Sequence, residues 1–182
     1  MHVNQQKKWT VVACLGAISY VLMYLAFPVI PLVPFLTLDF SDIPILLCFF
    51  IYGRKEGYLT ILLKECLHFI MMGPSLPNFV GIVSNAIASI LIAELIFSIY
   101  QKKQNWILAI VIATVALTIA MALINISFML PFYTKVLGMK LSVSIRKIVL
   151  FGIVPFNIIK GLVIGFIFKI MYQKINWSKL RI

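Results

Sequence analysis

Ile107-Leu-Ala-Ile-Val-Ile-Ala-Thr114-Val-Ala-Leu-Thr118-Ile-Ala-Met-Ala-Leu123 carries no charge, and only two threonines interrupt its apolar run. At about 1.5 Å rise per residue, this segment and its flanks cross a hydrocarbon core of about 30 Å as a helix. In that medium every backbone N–H and C=O must be paired internally, which leaves helices or a closed barrel. A barrel strand alternates apolar and polar positions over about 10 residues. This segment does not alternate. Nor does Ala86–Tyr100, which is broken only by Ser89, Glu94 and Ser98. Both are membrane helices.

The whole chain agrees with that reading. Of its 182 residues 63% are hydrophobic and 12% charged, whereas a soluble domain carries about 25% charged residues. Too little polar surface remains to face water, so membrane lipid is an obligatory partner. The formal charge of +11 does not make a nucleic-acid surface, because the basic residues lie mostly between apolar runs rather than along one face. Cys14, Cys48 and Cys66 fall in apolar stretches without metal-ligand spacing. They read as packing residues, and no metal site or cofactor is expected. The N-terminus shows no signal-peptide cleavage pattern, and its apolar run is long enough to span.

Proline, glycine and charge divide the chain into six spans: about Trp9–Phe27, Ile43–Tyr52, Tyr58–Met72, Asn78–Tyr100, Trp106–Leu130 and Ile148–Tyr172. The second is too short to cross alone, since a span takes roughly 20 residues. It must be assisted by its neighbours or borrow from the loop before it. Gly53-Arg-Lys-Glu-Gly57 reads as a polar turn, and Pro155 as an interruption of the sixth span. The expected fold is an all-α integral membrane protein of six transmembrane helices, with residues 1–182 forming one domain.

Orientation follows from the excess of Lys and Arg in cytoplasmic segments. With the N-terminus inside, those segments hold Lys7, Lys8, Arg54, Lys55, Lys102, Lys103, Lys169, Lys174, Lys179 and Arg181. The outer segments hold Lys135, Lys140, Arg146 and Lys147. Both termini are therefore expected in the cytoplasm.

An ionisable side chain inside a span costs about 2.5–3.5 kcal/mol on insertion scales and faces a cavity or a partner. Lys160, five residues after Pro155, lies about 7.5 Å into the sixth helix. That depth suits the floor of a pocket open to the outside. A lysine that snorkels or pairs with an acid is the plainer reading. Asn125 offers a donor and an acceptor side by side, as the edge of a heterocycle requires. An interhelical hydrogen bond is its plainer role. Lys64, Glu65 and His68 resemble a catalytic cluster, but Lys64 and Glu65 are adjacent in sequence and so lie on different helix faces. Pairing with another helix fits them better than catalysis. Glu94, near the inner boundary, reads as a structural partner. Asp42 before Ile43-Pro44 reads as a helix N-cap. No nucleotide-binding loop or nucleophile elbow is present, so no enzyme is expected. Ala13 and Ala17, four apart with Gly16 beside them, allow another helix to approach closely.

The chain resembles the substrate-binding components of energy-coupling factor transporters, the riboflavin-specific group in particular. The resemblance is carried by Ala13-Cys-Leu-Gly-Ala17, Leu38-Asp-Phe-Ser-Asp-Ile-Pro44, Lys64 with His68, and Pro77-Asn-Phe79. It continues through Asn125, Leu130-Pro-Phe-Tyr133 and Val154-Pro-Phe-Asn-Ile-Ile-Lys-Gly161. It implies six helices around a vitamin pocket near the outer face of a bacterial cell membrane. It also implies that Ala13 and Ala17 dock a transmembrane coupling subunit working with two ATPase subunits. Asn125 and Lys160 would contact the flavin ring, with Thr37 nearby and Asn78 assisting. Phe35, Leu36 and Phe40 would cover the faces of the ring. Glu65 stands where a neutral amide is expected, and Pro74-Ser-Leu-Pro77 departs from the glycine and acid expected there. Flavin mononucleotide, pantothenate and thiamine are the alternative ligands. A membrane enzyme using Lys64, Glu65 and His68, or a purely structural subunit, are the alternatives of other classes.

Overall fold

Short breaks at glycine and proline fold the apolar runs back on one another. A computed structural model describes residues 5–138 and 143–177. Lys140, Lys179 and Arg181, which contribute to the orientation argument, lie outside the described residues. Six helical segments follow in order: α1 (Gln5–Met23), α2 (Asp42–Tyr52), α3 (Arg54–Met72), α4 (Leu76–Lys103), α5 (Trp106–Lys135) and α6 (Ile145–Lys174). The connections after α1, α3 and α5 gather at one end of the bundle. The turns after α2 and α4 lie at the other.

Length and composition let α4, α5 and α6 each cross a bilayer, with mean hydropathy of 2.1, 2.9 and 2.1. The 11 residues of α2 reach only about 16 Å, half the hydrocarbon core. Its neighbours make up the difference. Pro44, Ile45, Leu46, Cys48, Phe49 and Phe50 are all buried, enclosed by α1, α3, α4 and α6.

Several boundaries depart from the sequence expectation. α1 stops at Met23, not Phe27, because Phe27-Pro28 (β1) pairs antiparallel with Thr37-Leu38 (β2) in a short ladder. Residues 53–57 are not a turn. Only Gly53 leaves the helix, at φ +100°, a conformation that favours glycine, and Arg54 already begins α3. α5 continues past Pro131 and α6 past Pro155. A proline removes one N–H and crowds the carbonyl four residues back. A π-helical turn precedes each, at Asn125–Met129 and Val149–Ile153, and its wider i→i+5 spacing absorbs the defect. Of the cysteines only Cys48 is buried, whereas Cys14 and Cys66 are exposed, so the packing role holds for Cys48 alone.

Both ends of the bundle have distinct packing. At the end bearing Gly53, the Phe50 ring lies 5.2 Å from Phe97, Phe168 and Tyr172, 5.6 Å from Trp106 and 5.7 Å from Tyr100. This aromatic plug fills the bundle there. At the opposite end the loop between α1 and α2 folds inward. Val33 at its tip is fully buried against Leu130, Ile148, Val149 and Ile153. It fits because Gly152 has no side chain: a Cβ there would lie 2.4 Å from Val33 Cγ1.

The one-residue link between α2 and α3 depends on a second close approach. A Cβ on Gly57 would fall 2.1 Å from Phe49 Cδ2 and 2.3 Å from Cε2, and Phe49 is itself fully buried. In an open helix Gly→Ala stabilises by about 0.5–1 kcal/mol. Here overpacking of about 1–3 kcal/mol outweighs it. Gly57→Ala is therefore expected to lower the melting temperature of the purified protein, and an unchanged or raised value would contradict this packing.

Candidate ligand-binding site

At the end where the α1–α2 loop folds inward, the helices enclose a cavity of about 420 Å³, within the range of about 300–1,000 Å³ typical of small-molecule sites. Three helices supply most of the lining. α4 supplies Gly81, Ser84, Asn85 and Ala88, at the spacing of successive helical turns. α5 supplies Met121, Asn125, Met129 and Tyr133, and α6 supplies Phe156, Asn157 and Lys160. Phe35, Leu36, Thr37 and Asp39 from the loop close the mouth. The lining is mainly apolar with a few polar groups, the usual composition of a site that orients an aromatic ligand.

Three polar side chains converge on the α5–α6 wall. Asn125 and Asn157 are buried. Each amide nitrogen donates 2.8 Å back to a carbonyl of its own helix, Met121 and Ile153 respectively. Each amide therefore keeps its oxygen as an acceptor and its second N–H as a donor. Lys160, only 3% exposed, places Nζ 3.2 Å from Asp42 Oδ2 and keeps further donors for the cavity. The wall thus offers two amides, each with an acceptor and a donor, flanked by a cationic donor.

Beneath it lies a buried chain of charge. Asp42 accepts from the Ser89 hydroxyl, which accepts in turn from Lys64 Nζ at 3.0 Å. Lys64 Nζ also lies 3.0 Å from Glu65 Oε1, and Asn85 Nδ2 donates to the same oxygen at 3.1 Å. Two lysines and two carboxylates cancel.

Two expectations are corrected here. Asp42 is not an N-cap: Ser41 holds the cap position without a side-chain bond, and Asp42 opens α2. A cap is worth about 1 kcal/mol. Leaving a buried lysine unpaired costs about 3–5 kcal/mol, so the carboxylate turns to Lys160. Asp39 Oδ1 takes over the local role, accepting from Ser41 N–H at 2.8 Å. Lys64 and Glu65 do face each other, although adjacent residues diverge on a helix. The four-carbon stem of the lysine spans the gap, and both side chains are buried.

Of the predicted contacts, Thr37, Asn125 and Lys160 are brought together around the cavity. Asn78 is not. Its amide donates to the carbonyls of Met72 and Gly73 at 3.1 and 3.2 Å, joining α3 to α4. Ala13 and Ala17 are exposed on α1, while Gly16 is turned inward, its missing Cβ position 3.0 Å from Leu63 Cβ. Glu94 binds Arg54 Nε at 2.8 Å and the Tyr58 hydroxyl at 2.7 Å, the structural role expected of it. Asn157 and Asn85 line the cavity without having been singled out. The signal for Asn157 was its place three residues before Lys160, on the same helix face. Among the described residues no group of His, Cys, Asp and Glu is arranged to hold a metal ion.

Residues 7–172 match the family model for the ECF transporter, substrate-specific component. Relatives include "Riboflavin transporter RibU" of Staphylococcus aureus (strain TCH60), 33% identical over 96% of this chain and 93% of its own. "Riboflavin transporter FmnP" of Bacillus subtilis (strain 168) is 36% identical over 93% and 92%. A solved structure described as "Structure and mechanism of the S component of a bacterial ECF transporter" superposes with a TM-score of 0.78 at 35% identity. It covers 94% of this chain and 96% of that one.

Proposed function

The chain belongs to the substrate-specific components of ECF transporters, and from that premise we propose that its cavity captures riboflavin for import. Members of this family are transport subunits embedded in a bacterial membrane, and the chain is accordingly a multi-pass membrane protein and not an enzyme.

One observation carries the choice of ligand. Asn125, Asn157 and Lys160 present two amides and a cationic donor on one wall of a mainly apolar cavity. The pyrimidine edge of a flavin carries an N–H between two carbonyls. It needs an acceptor for the former and a donor for each of the latter, which the amides and Lys160 supply between them, while its fused rings need apolar walls. Phe35, Leu36 and Phe156 supply such walls, and the relatives' names agree with a flavin. The cavity is placed at the outer face, and both termini in the cytoplasm, by the positive-inside rule. Residues 1–182 act as one binding unit. Inward delivery is assigned to a transmembrane coupling subunit and two ATPase subunits, docked through the exposed Ala13 and Ala17.

Riboflavin fluorescence in a titration with the purified protein tests this. Saturable quenching is expected, together with a rise in melting temperature. Ligand at about 100 times its dissociation constant stabilises the folded state by about 2.7 kcal/mol. Thiamine and pantothenate are expected to give no thermal shift. A shift with one of these and none with riboflavin would reassign the ligand.

A further inference from the structure

The five acidic side chains of the sequence are all engaged away from one group of bases. Asp39 accepts from the Ser41 N–H, and Asp42 pairs with Lys160. Glu56 pairs with Lys8, Glu65 with Lys64 and Glu94 with Arg54. No acidic side chain is left for Lys102, Lys103 and Lys174, which are exposed at the end of the bundle that bears Gly53. These three occupy matching places. Lys102 and Lys103 close α4 between Tyr100 and Trp106, whose rings stack with centroids 3.9 Å apart. Lys174 closes α6 between Tyr172 and Trp177, whose rings lie 4.3 Å apart, and the Trp177 indole N–H donates to the Tyr172 carbonyl at 2.8 Å. Trp106 and Tyr172 meet at 4.8 Å. The two basic turns therefore stand side by side on one aromatic platform.

A helix C-terminus favours a lysine through its dipole, but that partial charge fades within the last turn and does not neutralise the ammonium groups. Tyr and Trp at the end of a membrane helix mark the level of the lipid headgroups. A lipid phosphate lies at that level, carries the missing negative charge and accepts from lysine N–H groups. We propose that Lys102, Lys103 and Lys174 form a headgroup site for an anionic phospholipid, with the two aromatic pairs fixing the turns that carry them. The acyl chains of that lipid lie against the exposed apolar faces nearby, Ile107 and Val111 on α5 and Ile167 and Ile170 on α6. The site is separate from the ligand cavity, which opens at the opposite end of the bundle.

The test titrates the purified protein, in neutral detergent, with phosphatidylglycerol and separately with phosphatidylcholine of the same acyl chains. Salt is held at about 0.15 M, where exposed charges more than about 8 Å apart are largely screened. Phosphatidylglycerol is expected to raise the melting temperature saturably, and phosphatidylcholine to leave it near that of the lipid-free sample. A lysine beside a charged headgroup is worth about five-fold in affinity. Lys102→Gln/Lys174→Gln, one base from each turn, is therefore expected to need about 25-fold more phosphatidylglycerol for the same shift. Lys7→Gln/Lys55→Gln removes two exposed bases of α1 and α3 at the same end and is expected to stay within about two-fold of the parent. Lys103→Gln, expected to weaken the lipid about five-fold, serves if the first double variant fails to fold. Equal shifts from the two lipids would overturn the site. Equal losses in the two double variants would also overturn it, showing diffuse attraction to every base. Inorganic phosphate is expected to give no shift, and one matching that of the lipid would overturn the lipid in favour of a free anion.

Discussion

Changing Asp42 to asparagine is expected to lower the unfolding free energy by about 3–5 kcal/mol, the cost of breaking a buried ion pair from one side. Asp42 is fully buried, as is Lys64, and Lys160 is 3% exposed. The substitution keeps the size of the side chain and a partner for Ser89, so packing does not confound it. What it removes is the negative charge 3.2 Å from Lys160 Nζ. Two buried lysines then have only Glu65 and the more distant Asp39 to offset them. For a chain of this length each kcal/mol moves the melting temperature by roughly 2–4 °C, so a fall on the order of 10 °C is expected in the purified protein. The companion Asp42→Asn/Lys160→Met removes both charges and is expected to recover most of the loss, since a buried pair adds little over a neutral replacement. A loss within about 0.5 kcal/mol for Asp42→Asn, the ordinary scatter of surface substitutions, would mean the pair does not hold the floor of the cavity.

That ion pair also marks the limit of what the amino-acid order reveals. Lys160 and Asn125 stand out because a charge or an amide inside an apolar run needs a partner, and each lies on the cavity wall. The six helices stand out because lipid permits little else. Asp42 was legible only as a local feature, a short acid ahead of proline. Its partner lies 118 residues on, and nothing in a helical period couples positions at that distance. The ladder between Phe27-Pro28 and Thr37-Leu38 is hidden for another reason. Two residues per strand give no alternation to detect, and the loop between them is seated by Val33 beside Gly152 on a distant helix. The π-helical turns were concealed by treating proline as a stop. Proline ends a helix where the freed carbonyl can find water, and a bundle core in lipid favours a wider turn over a break. Asn78 has a task the amino-acid order does not display: its amide donates to the carbonyls of Met72 and Gly73 at the end of α3.

Replacing Lys160 by methionine is expected to weaken flavin binding by about 100-fold, the largest effect of any single contact. A hydrogen bond involving a charged group is worth about 1.5–3 kcal/mol, which corresponds to roughly 10- to 150-fold. Methionine withdraws that bond and also leaves the Asp42 carboxylate without its cation beneath the carbonyl edge of the ligand, so the upper part of the range applies. Asn125→Leu, which loses a neutral bond, is expected to cost about ten-fold. The difficulty is that Lys160→Met also destabilises the fold, and a partly unfolded sample would mimic weak binding. Asp42→Asn/Lys160→Met separates the two effects. It is expected to melt close to the parent yet still bind flavin at least about 30-fold more weakly, because the charge imbalance is gone while the donor remains absent. Parent-like affinity in that stable double variant would show that Lys160 serves the buried charge chain alone. Recognition of the ring edge would then fall to Asn125 and Asn157.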